Sequence, residues 1–167
     1  MPKGIFAEIN RLKYKKSSPE TSPMIKINYP AYDFQIKKEA GKEWIFDGFR
    51  KQWLRLTPEE WVRQNMLQYL VQVKQYPSSL IAIEKEIALG ELRKRFDILV
   101  YKNAKPWMVI ECKEMNVPLT ASVLKQVLNY NITLQTDFLV ITNGTITHGF
   151  AISNGHTEEL TQLPDFN

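Results

Sequence analysis

The sequence predicts an α/β domain with a mixed sheet flanked by helices. Short runs of β-branched and aromatic residues between turn residues are typical of strands, and three such runs follow one another closely. A helix-like segment then separates the third run from a fourth, which implies one parallel pair in an otherwise antiparallel sheet. In chain order we predict a helix at 57–77, strands at 80–89, 93–101 and 106–113, a helix at 119–135, a strand at 137–141 and a last strand near 146–152.

Local signals mark where the helices begin. Thr57 is a natural N-cap, Pro58 suits the first helical position, and Glu60 stands where a capping box places an acidic residue. The second helix starts near Thr120 or Ser122, since hydroxyl side chains favour that position.

The N-terminal part of the chain predicts a separate small element. Residues 34–47 alternate on either side of Ala40-Gly41, which indicates a hairpin, and 50–56 is a short third strand. Residues 1–56 hold 12 Lys or Arg against 6 Asp or Glu. We therefore expect a basic N-terminal extension at 1–56 and a main domain at 57–163, with a loose tail from Pro164.

The predicted turns set the register of the three consecutive strands. A two-residue turn at Gly90-Glu91 places Glu84 opposite Asp97. A second turn centred on Ala104 places Asp97 opposite Glu111. The three carboxylates then form one row across the sheet.

This acidic row, Glu84, Asp97 and Glu111, predicts a metal site. Close carboxylates repel one another unless a cation compensates them, and oxygen ligands suit Mg²⁺ or Mn²⁺. In the adjacent row Arg95 opposes Lys113, which could orient a water or neutralise charge on a phosphate. Salt bridges on a solvated sheet face explain the same residues equally well, so both interpretations stay open.

The remaining polar and apolar positions predict ordinary packing. Glu59 and Arg63 are four residues apart on the first helix and indicate an exposed ion pair. Cys112 is a buried core thiol. The apolar face of the strands, which we expect one helix to cover, contains Phe96, Ile98, Val100, Met108, Ile110 and Cys112.

At these residues the sequence resembles the PD-(D/E)xK nuclease superfamily, which has Asp on the second strand of its core and Glu-x-Lys on the third. Asp97 lies in RFDILVY, and Glu111 and Lys113 lie in VIECKEM. More narrowly, the chain is similar to the N-terminal nuclease domain of type I restriction enzyme R subunits. The segments that carry this similarity, between 57 and about 150, are TPEEWVRQ, IAIEKEI, KRFDILVY, VIECKEM, KQVLNY and ITNG.

The resemblance implies a restriction-endonuclease-like core of a helix, three antiparallel strands, a helix and a strand. It also implies that Asp97 and Glu111 bind Mg²⁺ or Mn²⁺, that Lys113 assists the attacking water, and that Glu84 is a further acidic member of the site.

Other positions match the family's accessory residues. Gln126 and Tyr130 fit the Q-x-x-x-Y helix motif of RecB-like nucleases, in which they help to position DNA. Glu60 stands where many of these nucleases have an acidic residue, although capping explains it nearly as well. Arg95 is an accessory candidate. Phe96 replaces the Pro of the superfamily motif at a position that we expect to face away from the site.

We therefore expect a metal-dependent DNA nuclease of restriction or repair. No G-x-x-x-x-G-K-[ST] phosphate loop is present, so we expect a stand-alone domain without an ATPase motor. The expected partners are DNA and either a second copy or separate restriction subunits. The lone cysteine and the lack of a secretory signal or membrane span favour the cytoplasm. The alternatives are a non-catalytic DNA-binding or assembly module and an interaction protein.

Overall fold

The computed structural model of the chain describes residues 24–167, apart from the side chains of residues 89 and 130–133. The predictions made for residues 1–23 of the basic extension lie outside the described residues. No helix in the described part is both long and apolar enough to cross a bilayer.

A small antiparallel sheet precedes the main domain. It contains β1 (Ile36–Glu39), β2 (Lys42–Asp47) and β3 (Gln52–Arg55) in that order. Ala40 and Gly41 form the turn of the first hairpin with φ values of +50° and +72°. Both are positive, as a two-residue turn of the mirror-image type requires. The predicted hairpin and its third strand are therefore confirmed.

The first helix, α1 (Pro58–Gln68), begins as predicted and ends earlier. The Thr57 hydroxyl accepts a hydrogen bond from the Glu60 N–H at 3.1 Å, which confirms the N-cap. The chain then continues as a π-helical segment, Tyr69–Val73, and a short 3₁₀ turn, Ser78–Leu80.

A six-stranded mixed sheet forms the centre of the main domain and confirms the predicted α/β class. Its strands lie in sequence order, all neighbours are antiparallel except β6 and β7, and the second helix α2 connects that parallel pair. We did not predict the edge strand β9, although Asn154-Gly155 before it is the same turn dipeptide as Asn143-Gly144. The remaining elements are β4 (Ile81–Leu89), β5 (Leu92–Lys102), β6 (Lys105–Cys112), α2 (Ala121–Leu134), β7 (Phe138–Thr142), β8 (Thr147–Ser153) and β9 (His156–Glu159).

The register between β5 and β6 agrees with the prediction where the acidic residues lie, but the turn differs. The turn contains two residues, Asn103 and Ala104, with φ values of +52° and +59°. By itself it would shift the pairing by one residue. A bulge at Val100/Tyr101 compensates, so Ile98 pairs with Ile110 as the predicted register requires.

Helices cover both faces of the sheet. One apolar cluster packs α1 against the sheet and includes Val62, Met66, Leu67, Ile98, Val100, Met108, Ile110 and Cys112. The other packs α2 against the opposite face and includes Val127, Leu128, Phe96, Leu99, Val109, Leu139 and Ile141. Five of the six residues predicted to share one apolar face, all but Phe96, lie in the α1 cluster, so the prediction is confirmed for them. The opposite face is also apolar where α2 covers it.

Phe96 lies on the opposite face from the one predicted. It packs with the α2 cluster, whereas Ile98, two residues on, packs with the α1 cluster. Residues two apart on a regular strand share a face. The ladder between β4 and β5 is interrupted at Glu84 and Asp97, where Glu84 has φ of +53°, and the alternation changes there.

The C-terminal tail is packed rather than loose. The Tyr76 hydroxyl donates a hydrogen bond to the Pro164 carbonyl at 2.6 Å, and Leu163 is buried. The ring of Phe166 contacts those of Tyr76 and Trp107. Three aromatic rings therefore fix this segment against the α1 side of the domain.

Gly149 in β8 tests how tightly the residues before β1 pack on the sheet. A Cβ added there would lie 2.6 Å from Ile25 Cδ1 and 3.3 Å from Leu160 Cδ1. We expect Gly149→Ala to lower the free energy of unfolding by about 1–3 kcal/mol, because the neighbours must shift in a packed region. Gly48→Ala is the matched control, since a Cβ there meets nothing within 4 Å. Urea denaturation measures both, and equal midpoints would contradict the packing described for Ile25.

Candidate active site

Asp97, in the middle of β5, lies beside Glu111, which is the second-last residue of β6. The pairing of Ile98 with Ile110, continued by one residue, places Asp97 opposite Glu111. The Cys112 N–H donates a hydrogen bond to Asp97 Oδ2 at 2.7 Å, which fixes the carboxylate across the strand gap. The structure thus brings the two central residues of the predicted site together.

Arg63 of α1 points into this acidic group. Its Nη2 lies 2.8 Å from Asp97 Oδ1 and 2.9 Å from Glu84 Oε1. The same nitrogen is 3.2 Å from Glu59 Oε1, and Nη1 donates to Glu60. Arg63 is buried, so the prediction of an exposed ion pair between Glu59 and Arg63 was wrong about the exposure of Arg63. The docking of α1 on the sheet turns this helix position inward.

The charges around Arg63 determine its protonation. Burial acts to lower the pKa of the guanidinium, but Asp97, Glu60 and Glu84 together outweigh it and raise the pKa above its ordinary value. Arg63 is therefore a permanent cation among four carboxylates. Arginine suits this position because its planar donors contact several acceptors at once.

A chain of ion pairs links the small sheet to this cation. Asp47 at the end of β2 is fully buried and accepts hydrogen bonds from the N–H groups of Phe49 and Arg50 at 2.7 and 3.0 Å. The Arg50 guanidinium donates to Asp47, and its Nη2 donates to Glu60 Oε1 at 2.7 Å. Glu60 in turn accepts from Arg63. Glu60 is therefore more than a capping residue, because it joins the half-buried Arg50 to the buried Arg63.

Glu84 takes an unusual backbone conformation next to Asp97. Its φ of +53° lies in the left-handed region, which non-glycine residues seldom adopt. Its two carboxylate oxygens face different arginines: Oε1 lies near Arg63 and Oε2 accepts from Arg95 Nε at 2.9 Å. The distorted backbone thus lets Glu84 bridge the two arginines at the edge of the acidic group.

Glu111 is the most buried residue of the acidic row, with 7% of its surface exposed. Burial, followed by the charge of Asp97, raises the pKa of Glu111 from 4.5 to about 8, although Lys94 and Lys113 oppose the shift. Glu111 is thus protonated at neutral pH and within hydrogen-bonding reach of Asp97. Two adjacent carboxyl groups that share a proton are also two oxygen ligands that a divalent cation could bind together.

Lys113 directly follows β6 and is held by the neighbouring parallel strand. Its N–H donates a hydrogen bond to the Thr142 carbonyl at 2.8 Å. The side chain is half-buried, and its charge opposes the rise in the pKa of both Glu111 and Glu59 that burial causes. The predicted lysine therefore lies beside the carboxylate pair.

The acidic group has the right chemistry for a hard cation but is not a complete cage. Among residues 24–167, no three His, Cys, Asp or Glu side chains are arranged to hold a metal ion together. Arg63 occupies the position between Asp97 and Glu84. Magnesium sites often use only one or two carboxylates, with waters and substrate phosphates as the other ligands. Asp97 and Glu111 fit that pattern, and the role predicted for Glu84 as a third ligand stays a prediction.

Within the described side chains, the Q-x-x-x-Y motif of α2 makes none of the contacts given above for the acidic group. Gln126 is exposed on α2 and takes part in none of the hydrogen bonds described for the acidic group. The side chain of Tyr130 lies outside the described residues. Their predicted role in positioning DNA stays a prediction. Cys112 is fully buried in the α1 cluster, as expected, and burial raises the pKa of its thiol.

A comparison with protein-family models identifies the family of the chain. The model described as type I restriction enzyme R protein N terminus (HSDR_N) matches residues 58–165. The chain belongs to this family. The match confirms the resemblance to the N-terminal nuclease domain of type I R subunits. It starts at the first residue of α1, so β1–β3 lie outside the matched residues. No curated protein and no solved structure matches the chain.

Sequence reasoning missed the roles of the buried Arg63 and the half-buried Arg50 in this chain. Arg50 was assigned only to a short strand, and Arg63 was assigned to the helix surface. The available signal was the spacing of Arg63 from Glu59 and Glu60, which puts three charged side chains on one face of α1. A face with that much charge next to Val62 and Met66 has to be compensated if it packs against the sheet.

Replacing Arg63 should destabilise the domain strongly. Arg63→Ala leaves Glu60, Asp97 and Glu84 without their buried cation, and we expect a loss of about 3–5 kcal/mol in the free energy of unfolding. Arg95→Ala is the matched control, because Arg95 also pairs with Glu84 but its side chain is 68% exposed. An exposed pair contributes about 1 kcal/mol or less. Urea denaturation at pH 7 compares the two, and similar losses would rule out a buried role for Arg63.

The raised pKa of Glu111 predicts a pH dependence of stability in EDTA. The folded state keeps a proton that the unfolded chain releases above about 4.5. The free energy of unfolding should therefore fall as pH rises from about 4.5 to about 8 and level off above. The Glu111→Gln variant has no carboxyl group at this position, so its free energy of unfolding should not fall in this way. It should be more stable than the wild type at pH 8.5, by an amount on the order of a few kcal/mol.

Denaturation curves at several pH values measure the effect. Glu91→Gln, in the exposed β4–β5 turn, is the control and should follow the wild type. Wild-type and Glu111→Gln curves that stay parallel between pH 5 and 8.5 would show that Glu111 titrates normally.

Proposed function

We propose that this R-protein N-terminal domain is a metal-dependent DNA nuclease that hydrolyses phosphodiester bonds. The observation that supports the proposal most directly is the adjacency of Asp97 and Glu111 beside Lys113, within a restriction enzyme family. The fit of the carboxylates to Mg²⁺ or Mn²⁺ supports the choice of cofactor. When bound, such an ion would supply Lewis-acid stabilisation of charge on the phosphate.

The chain's own residues would have distinct roles. Asp97 and Glu111 would hold the cation, and Glu111 would have to give up its proton to do so. Lys113 would orient the attacking water or neutralise charge that develops on the phosphate. Arg63 would keep Glu60 and Glu84 paired while Asp97 turns to the cation. Gln126 and Tyr130 would contact the DNA from α2.

The partners we propose are DNA and other restriction subunits. Cutting both strands of a duplex calls for two active sites, which a second copy of the chain or a separate subunit would provide. The contact of Arg63 with Asp97 favours one alternative function, a non-catalytic DNA-binding module in which the arginine takes the place of the metal. Such a module would bind DNA equally well in EDTA and in Mg²⁺.

The test is cleavage of supercoiled, linear and single-stranded DNA in Mg²⁺, Mn²⁺ or EDTA. We expect Asp97→Asn and Lys113→Ala to reduce cutting by at least about 100-fold, since each removes a group that acts on the transition state. Lys105→Ala is the matched control, because Lys105 is an exposed lysine at the other end of the same strand.

Thermal melts keep the outcomes distinct. We expect Mg²⁺ to raise the melting temperature of the wild type but not of Asp97→Asn. Cutting that survives in both variants would exclude the proposed residues. If the wild type binds Mg²⁺ through Asp97 without cutting, a partner subunit is required. The absence of both metal binding and cutting would favour the non-catalytic module.

A further inference from the structure

One face of the β1–β3 sheet combines aromatic and basic side chains. Lys37 pairs with Trp44, and Trp44 pairs with Arg55, so the three lie across the sheet on the same face. Phe46 and Trp53 pair one step further along that face. We call these five residues, together with Lys42 at the strand end, the outer face of the small sheet.

The outer face points away from the packed side of the small sheet. On the other face Ile45 and Asp47 are fully buried. By contrast, Lys42 and Arg55 are exposed, and Trp53 is 37% exposed. The small sheet therefore uses one face for packing and presents the other to solvent. A three-stranded sheet needs only one apolar face for its stability, so packing does not account for the exposed Trp53 on the outer face. Trp44 beside it is half-buried.

The aromatic rings on the outer face are arranged with cations around them. The ring centroids of Trp53 and Phe46 are 5.5 Å apart in an edge-to-face contact. Lys37 Nζ lies 4.8 Å from the Trp53 ring centroid. A groove of about 370 Å³ lies on this face, and its lining residues are Lys37, Glu39, Ala40, Lys42, Trp44 and Trp53.

The charge of the outer face complements a polyanion. Lys37, Lys42 and Arg55 lie on it, and the acidic residue at its edge, Glu39, pairs with Lys37 at 2.9 Å. Residues 36–55 as a whole hold six Lys or Arg against three Asp or Glu. Alternating aromatic rings and cations are the chemistry of sites for single-stranded nucleic acid, where bases stack on the rings and phosphates follow the cations. A duplex offers no free base faces for such stacking.

We propose that the outer face of the small sheet binds single-stranded DNA, with Trp53 stacking on a base and Lys42 and Arg55 contacting phosphates. The proposal rests on the proposed function in one respect, since the bound strand would be the substrate or the product of the acidic site.

The ion-pair chain gives this surface a fixed relation to the acidic site. Asp47 ends the strand that carries Trp44 and Phe46, and it reaches Arg63 through Arg50 and Glu60. A strand held on the outer face would therefore be anchored to a sheet whose position relative to Asp97 is set by buried charges.

The experiment is a binding titration of the full chain in EDTA. The probe is a fluorescently labelled 20-nucleotide single strand of mixed sequence, and the comparison is the duplex of the same sequence. Wild type is tested beside Trp53→Ala, Lys42→Ala and Lys38→Ala. Lys38 is the matched control, because it is an exposed lysine of the same small sheet, in β1, on the other face. Circular dichroism and thermal melts show whether each variant folds.

We expect the single strand to bind more tightly than the duplex. Trp53→Ala should weaken single-strand binding by about 10-fold or more, as the loss of one stacked base predicts. Lys42→Ala should weaken it by a smaller factor and reduce the slope of log affinity against log salt by about 0.7. Lys38→Ala should bind like the wild type. If Trp53→Ala does not fold, the single-strand affinities of Lys42→Ala and Lys38→Ala are compared, and weaker binding by Lys42→Ala alone supports the proposal.

Equal binding by all four proteins, or a preference for the duplex, would overturn the inference. So would the absence of DNA binding, which would leave the face to residues 1–23 or to a protein partner. The inference and the proposed function fail separately. Single-strand binding that depends on Trp53 in a chain that never cuts DNA supports the surface without the nuclease. Asp97-dependent cutting by a chain whose binding ignores Trp53 supports the nuclease without the surface.

Discussion

The site depends on one electrostatic constraint: acidic side chains that lie close together in a partly buried place need a compensating positive charge. Arg63 provides it by contacting Asp97, Glu84, Glu59 and Glu60 from a single buried position. The α1 helix must therefore dock on the sheet at a defined rotation, because only then does the guanidinium reach all four carboxylates. The same docking buries Val62, Met66 and Leu67. Charge compensation and apolar packing thus specify one orientation of the helix.

The strands solve a related problem of alignment. Asp97 and Glu111 face each other only if β5 and β6 keep one register, and a shift by one residue would send one of them to the other face. The two-residue turn at Asn103-Ala104 and the bulge at Val100/Tyr101 have opposite effects on that register. The parallel strand β7 then holds the end of β6 through the Lys113 N–H. The alignment of the two carboxyl groups is therefore set by the backbone of β5, β6 and β7 and not by the carboxyl groups themselves.

Much of this arrangement follows from local sequence signals. The N-cap at Thr57, the two hairpins and the meeting of Asp97 with Glu111 were predicted, because caps, turns and alternation act over a few residues. The burial of Arg63 was not predictable in this way, because an Arg four residues after a Glu looks the same on an exposed helix and on a docked one. The position of Phe96 was mistaken for a similar reason, since the ladder between β4 and β5 is interrupted at Glu84 and Asp97 and the alternation changes there. The bulge that corrects the β5–β6 register has no sequence signal that we recognised.

The left-handed backbone conformation of Glu84 affects which residues this position can hold. A side chain in the left-handed region carries strain of roughly 1–2 kcal/mol, and glycine would relieve it. Glycine would also delete the carboxylate that bridges Arg63 and Arg95. Stability and site chemistry therefore oppose each other at this residue, a trade-off that is common where a protein acts rather than where it merely folds. A search for more stable variants of this domain would accordingly tend to erode the acidic group at Glu84 before it touched the core.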